Sequence, residues 1–290
     1  MGGLKEIRLR ISSVKSTRQI TSAMKMVAAA RLKGAQDKIT GFRPFAKKMD
    51  EIISGLGIDS KELEKFPITA QPEPDRVLIV LFTSNRGLCG GFNTNIYKKS
   101  IELIENSYSD QLKENNLHYL CIGRKGADMI KKKNIKIIES VNELYDDLSF
   151  ENVSKMADRL INFFLSGDYS RIELVYNEFK NAAVQVQKTE PLLPVDISQG
   201  EDRSGFYIFE PNREALLNNL VPKMIRLKFF KAILDSNAAE QGARMTAMHQ
   251  ATDNATELIR ELTLQYNKAR QAAITNEILE ITSGAEALKS

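Results

Sequence analysis

Apolar side chains recur in steps of three and four from the start of the chain, at Leu4, Ile7, Ile11, Val14, Ala28, Leu32, Ala35, Ile39, Phe42, Ala46, Met49, Ile53 and Leu56. Arg18, Thr21 and Lys25 fall on the same register and are its only polar interruptions. The heptad predicts one helix with a single seam over most of the first 56 residues. Gly55 and Gly57 supply its stop signals, and Pro44 predicts a kink or a local unwinding. The same steps return from Leu217 through Leu220, Met224, Leu227, Leu234, Ala238, Met245, Met248, Ala255, Ile259, Leu262, Tyr266, Ala269 and Ala273. Glu210-Pro211 reads as the opening of this second helix, with proline in the first turn. At about 1.5 Å per residue a helix over 211–283 spans on the order of 110 Å and the first about 80 Å, too long for the inside of a compact domain. Two such helices at opposite ends of one chain satisfy each other as an antiparallel coiled coil. A bundle would need further helices of comparable length, and the sequence offers none. Beyond Ala273 the apolar positions slip to Ile274, Ile278, Ile281, Ala285 and Leu288, which predicts a tail that outruns its partner and presents apolar surface.

The middle of the chain has a different rhythm. Strands are expected at 76–82, 118–122, 135–139, 171–176 and 183–187, and helices at 96–106, 125–132 and 150–165. The alternation predicts a parallel sheet covered on both faces, with a hairpin formed by the last two strands. Residues 62–74, with Pro67, Pro72 and Pro74, form the leading linker, and 198–204 the exit loop.

Composition changes this picture little: 42% hydrophobic and 27% charged residues place the chain among ordinary globular proteins, and a net charge of +4 points only weakly to nucleic acid. Cys89 and Cys121 have neither disulfide nor metal spacing, and His118 and His249 are isolated, so no metal site and no catalytic triad is expected. No apolar run reaches the ~20 residues that span a bilayer. The segment Met1–Glu6 has Gly2 but Glu6 where a myristoylation signal needs Ser or Thr, and no signal-peptide core is present. The stretch Thr83-Ser-Asn-Arg-Gly-Leu-Cys-Gly-Gly-Phe-Asn93 joins a strand to a helix, as phosphate-binding loops do. Phe92 and Asn93 stand where a P-loop needs lysine and a hydroxyl, and the dinucleotide fingerprint is absent, so the loop reads as tight packing, with Arg86 left for an ionic contact.

Three stretches together resemble the gamma subunits of F-type ATP synthases. They are Lys5-Glu-Ile-Arg8 through Val27-Ala-Ala29, the glycine loop, and Glu240-Gln-Gly-Ala-Arg-Met-Thr-Ala-Met248 with Tyr266-Asn-Lys-Ala-Arg-Gln-Ala-Ala-Ile-Thr-Asn-Glu-Ile278. The resemblance implies an antiparallel coiled coil (1–57 and 208–288) with an inserted Rossmann-like α/β domain (75–197), acting as the central rotor stalk. It would couple proton flow through the c-ring to ATP synthesis or hydrolysis at the beta subunits by rotation. Its implied partners are the alpha and beta subunits, the epsilon subunit and the c-ring. In this family the nucleotide sites lie on alpha and beta, so the chain itself is expected to be no enzyme and to hold no cofactor or metal. The redox-active cysteine pair inserted in the plant chloroplast form is absent, which removes thiol regulation. The lack of a transit peptide implies a bacterial protein, held by partners at the cytoplasmic face of the inner membrane.

By the same resemblance Met24, Lys25, Arg244, Gln271, Thr275 and Glu277 lie where the stalk meets the beta subunits. Lys25 breaks the apolar seam and reads equally as a contact or as a solvated charge. Arg31, Lys33 and Arg86 add a positive track for acidic partner loops. Tyr207, Phe209 and Glu210 stand where the foot approaches the c-ring and epsilon. The rival functions are a nucleotide-binding enzyme, which lacks phosphate ligands here, and a coiled-coil scaffold without ATPase partners. Direct nucleic-acid binding is disfavoured because acidic and basic residues intersperse along both helices.

Overall fold

A computed structural model describes residues 2–55, 68, 75–133, 135–195 and 213–287. The expected leading linker, the exit loop and the opening of the last helix at Glu210-Pro211 lie largely outside these residues. The chain divides into two units, Met1–Ala28 with Met245–Ser290, and Ala29–Arg244. Two long helices contribute to both: α1 (Gly2–Gly55) and α6 (Arg213–Ala287).

In the first unit the seam follows the heptad. Leu4, Ile7, Ile11, Val14, Arg18, Thr21, Lys25 and Ala28 are the half-buried or buried rungs of α1, interleaved only by Ser22 and Met24. Facing rungs on α6 are Met248, Thr252, Ala255, Ile259, Leu262, Tyr266 and Ala269. The polar interruptions therefore lie inside the seam. Thr21 donates its hydroxyl to the Arg18 carbonyl (3.1 Å) and accepts from the Thr252 hydroxyl (2.9 Å), so one hydrogen bond joins the two helices inside the seam.

The second unit is built on a five-stranded sheet in the order β3-β2-β1-β4-β5. Its strands are β1 (Val77–Phe82), β2 (Leu117–Ile122), β3 (Lys136–Val141), β4 (Arg171–Phe179) and β5 (Gln185–Leu193). The first four run parallel, and β5 closes the edge antiparallel to β4 as the predicted hairpin. Every residue of β1 is buried because both faces are covered. Val77, Ile79 and Leu81 meet Ile96 and Ile104 of α2 (Phe92–Ser107) and Ala127 and Ile130 of α4 (Arg124–Ile130). A short α3 (Ser109–Lys113) follows α2. On the other face Leu78, Val80 and Phe82 meet Val153, Met156 and Leu160 of α5 (Phe150–Leu165) and Val221, Ile225 and Phe229 of α6. Ser149 caps α5, accepting from the Asn152 amide, which accounts for its start at the expected residue.

α1 continues through Pro44 with no break in the helix, and Thr40, whose carbonyl loses its usual donor to the proline, is exposed to solvent. One expectation about the helices changes here. Within this unit α6 is not a one-seam helix. Ala232, Ile233, Leu234, Asp235, Ser236, Ala238, Ala239, Glu240 and Gln241 are all buried, because α6 carries the sheet on one side and α1 on the other. α1 keeps its single stripe at Leu32, Ala35 and Ile39, and Phe42 meets Phe230 edge to face at 5.1 Å.

Candidate partner-contact surfaces

The glycine loop is pinned by its own side chains. The Ser84 amide donates to Asn93 Oδ1 (2.9 Å), and Asn93 Nδ2 donates to Ser84 Oγ (2.7 Å) and to Cys89 Sγ (3.2 Å). Asn93, at the start of α2, is thus turned inward and buried. Thr83, the residue before the loop, accepts from the Gly126 amide at 2.8 Å and so anchors the first turn of α4. Gly123 must be glycine: its φ is 102°, and a Cβ there would stand 2.1 Å from the Thr83 carbonyl oxygen. These contacts make the loop a junction between two strand ends and two helix starts. Burial pushes the Cys89 thiol above its usual range, with Ser84 opposing it, and burial pushes that of Cys121 up to about 12.

Arg244, on α6, reaches this loop. Its Nη2 donates to the carbonyls of Arg86 (3.0 Å) and Gly87 (3.3 Å), and its Nη1 pairs with Glu240 one turn earlier. Burial raises the Glu240 carboxyl above the usual range, and Arg244 and then Arg31 draw it back. Arg31 itself is exposed, as are Lys33 and Arg86. Met24 and Lys25 are half-buried on α1 in the first unit. Gln271, Thr275 and Glu277 are exposed on α6 beyond Ala269, the last half-buried rung, where Ile274, Ile278, Leu279 and Ile281 are exposed too. Tyr207, Phe209 and Glu210 lie outside the described residues.

The expected site residues therefore fall into three places: the seam (Met24, Lys25), the surroundings of the glycine loop (Arg31, Arg86, Arg244, with Lys33 exposed nearby in sequence) and the exposed end of α6. Sequence reasoning missed Glu240 as Arg244's counter-ion, although their four-residue spacing on one helix was a usable signal. It also missed Leu88, a 63% exposed apolar residue at φ 64°, for which the sequence carries no signal beyond the flanking glycines. Among the described residues no cluster of His, Cys, Asp and Glu is arranged to hold a metal ion.

The likeness to known proteins runs the length of the chain. Residues 3–288 match the family described as ATP synthase (ATP-synt). The ATP synthase gamma chain of Flavobacterium johnsoniae is 52% identical over 290 residues, covering 99% of both chains. That of Flavobacterium psychrophilum is 50% identical over 291 residues, covering 100% of both. Among solved structures, a chain of the central stalk and c-ring of Tetrahymena thermophila mitochondrial ATP synthase is 28% identical with a TM-score of 0.60, over 80% of this chain and 99% of that one. A chain of Euglena gracilis mitochondrial ATP synthase shares the fold at 21% identity and a TM-score of 0.70, over 99% of this chain and 95% of the other.

Proposed function

This chain belongs to the ATP synthase gamma chain family, and from that premise we propose that it is the central rotor subunit of a bacterial F-type ATP synthase. One observation carries the reading beyond the family: residues 271–285 of α6 are exposed throughout, with Ile274, Ile278, Leu279 and Ile281 among them. A helical end that displays four large apolar side chains calls for a surrounding partner, and the ring of alpha and beta subunits is that partner.

The parts divide the work. The paired helices, 1–57 and 208–288, turn inside the ring, and the α/β domain, 75–197, takes the drive from the c-ring together with epsilon. Proton flow through the c-ring turns the shaft. Two non-identical helices show each beta subunit a different face at each angle, so that each orientation favours a different nucleotide state. The coupling lies in the difference between those contacts. Met24, Lys25, Arg31, Lys33, Arg86, Arg244, Gln271, Thr275 and Glu277 are the side chains assigned to the beta-contact region, and Tyr207, Phe209 and Glu210 those assigned to the foot. The subunit itself performs no chemistry: the loop that resembles a phosphate cradle lacks its lysine and hydroxyl, and Asn93 is turned into the protein. No described helix is long and apolar enough to cross a membrane, which fits attachment through partners at the cytoplasmic face of the inner membrane.

Affinity purification of the tagged chain from its host's membranes tests the assignment. Co-elution with alpha, beta, epsilon and c subunits and with ATPase activity is expected, whereas a lone chain or a homodimer without ATPase activity contradicts it.

A further inference from the structure

Arg244 ties α6 to the glycine loop across a sequence separation of 158 residues, donating to the Arg86 carbonyl at 3.0 Å and to the Gly87 carbonyl at 3.3 Å. Its side chain is only 11% exposed and is paired with Glu240, itself 10% exposed, so its charge is met within the chain. What the loop does display is Arg86, which is exposed, and Leu88, which is 63% exposed. Leu88 sits at φ 64°, a region that a branched residue enters only when its surroundings enforce it. The two carbonyls that precede it are the two that Arg244 holds. Ser84 Oγ adds a second bond to the Arg86 carbonyl at 2.6 Å from the loop's own base.

We propose that Arg244 is a positioning residue: it clamps the glycine loop so that Arg86 and Leu88 face the beta subunits, and it affects partner contact through the loop and not by touching the partner. The identity of the partner rests on the rotor reading; the clamp does not. Lysine cannot replace arginine in this role, because one ammonium does not reproduce the planar fork that serves two carbonyls and a carboxylate together.

Cys89 provides a reporter inside the loop. It is 2% exposed and accepts from Asn93, while Cys121 is fully buried and can be removed as Cys121→Ala to leave one thiol. In the full-length chain, Arg244→Lys and Arg244→Gln are expected to raise the rate of Cys89 labelling by a neutral disulfide reagent about tenfold, the opening expected from losing one charged hydrogen-bonding anchor. Far-UV circular dichroism and the melting temperature show whether each variant is folded, and the lysine variant carries the test if the glutamine one is not. Labelling at the wild-type rate in a folded variant overturns the clamp.

In the complex with alpha and beta subunits, Arg86→Ala is expected to lower ATP hydrolysis in the wild-type background and to add nothing in the Arg244→Lys background. Independent, multiplying losses would mean that Arg244 meets the partner directly, and would overturn the positioning role. Failure of the wild-type chain to assemble at all would overturn the rotor reading and leave the labelling result to decide the clamp.

Discussion

Asp235 sits in the wall of α6 with 3% of its surface exposed and one carboxylate oxygen without a hydrogen-bond partner. Burial pushes its pKa from 3.8 up to about 6; Lys231 and Arg43 pull against this and Glu178 adds to it. A carboxyl whose folded pKa lies above its unfolded value takes up a proton more readily in the folded chain. Its contribution favours folding below about pH 4 and is lost as pH rises toward 6. The full cost above that window is on the order of 3 kcal/mol. Asp235→Asn is expected to flatten the fall in urea midpoint between pH 4 and 6 and to raise the midpoint at pH 7.5; an unchanged slope would remove Asp235 as its source. Gly123 is constrained by space as well as by backbone, since a Cβ would stand 2.1 Å from the Thr83 oxygen. Gly123→Ala should destabilise the chain by about 2–4 kcal/mol in urea unfolding, and a loss under 1 kcal/mol would show that the junction yields more readily than its geometry implies.

The end of α6 makes the clearest prediction at the scale of elements. Because residues 271–285 are exposed throughout, truncation after Ala273 should leave the free energy of unfolding in urea within about 0.5 kcal/mol of the full chain's while weakening assembly or coupling in the complex. An insoluble or unfolded truncated chain would mean that the tail supports the fold itself. The helix registers were legible in the sequence because a single apolar stripe repeats for a single neighbour, as it does at Leu32, Ala35 and Ile39. The strands were legible because runs such as Val77–Phe82 are buried on both faces. The all-round burial of α6 between sheet and α1 was not legible, since a heptad search counts one seam and passes over the rest. A signal was present in Ala238, Ala239, Gly242 and Ala243: small residues around the whole helix mark close neighbours on several sides, and a Cβ on Gly242 would lie 3.1 Å from the Ala182 Cα. The bond from Arg244 to the loop was not legible either, because local spacing exposes the Glu240 pair but not an acceptor 158 residues away.

At the scale of the whole molecule, the proposed rotor couples proton flow to the nucleotide chemistry of its partners by turning. Energy passes only through contacts that differ between orientations, so tight but uniform binding to the ring would couple nothing. Both native cysteines are buried, so a single thiol introduced on an exposed helix, such as Lys113→Cys on α3, can carry a bead or gold rod. The most direct measurement is to bind this labelled chain in a complex with alpha and beta subunits fixed to a surface and to record the probe's angle while ATP is supplied. Continuous one-way rotation is expected, in equal steps that number one per turn for each beta subunit of the ring. A complex that hydrolyses ATP while the probe stays fixed or wanders without direction would contradict it.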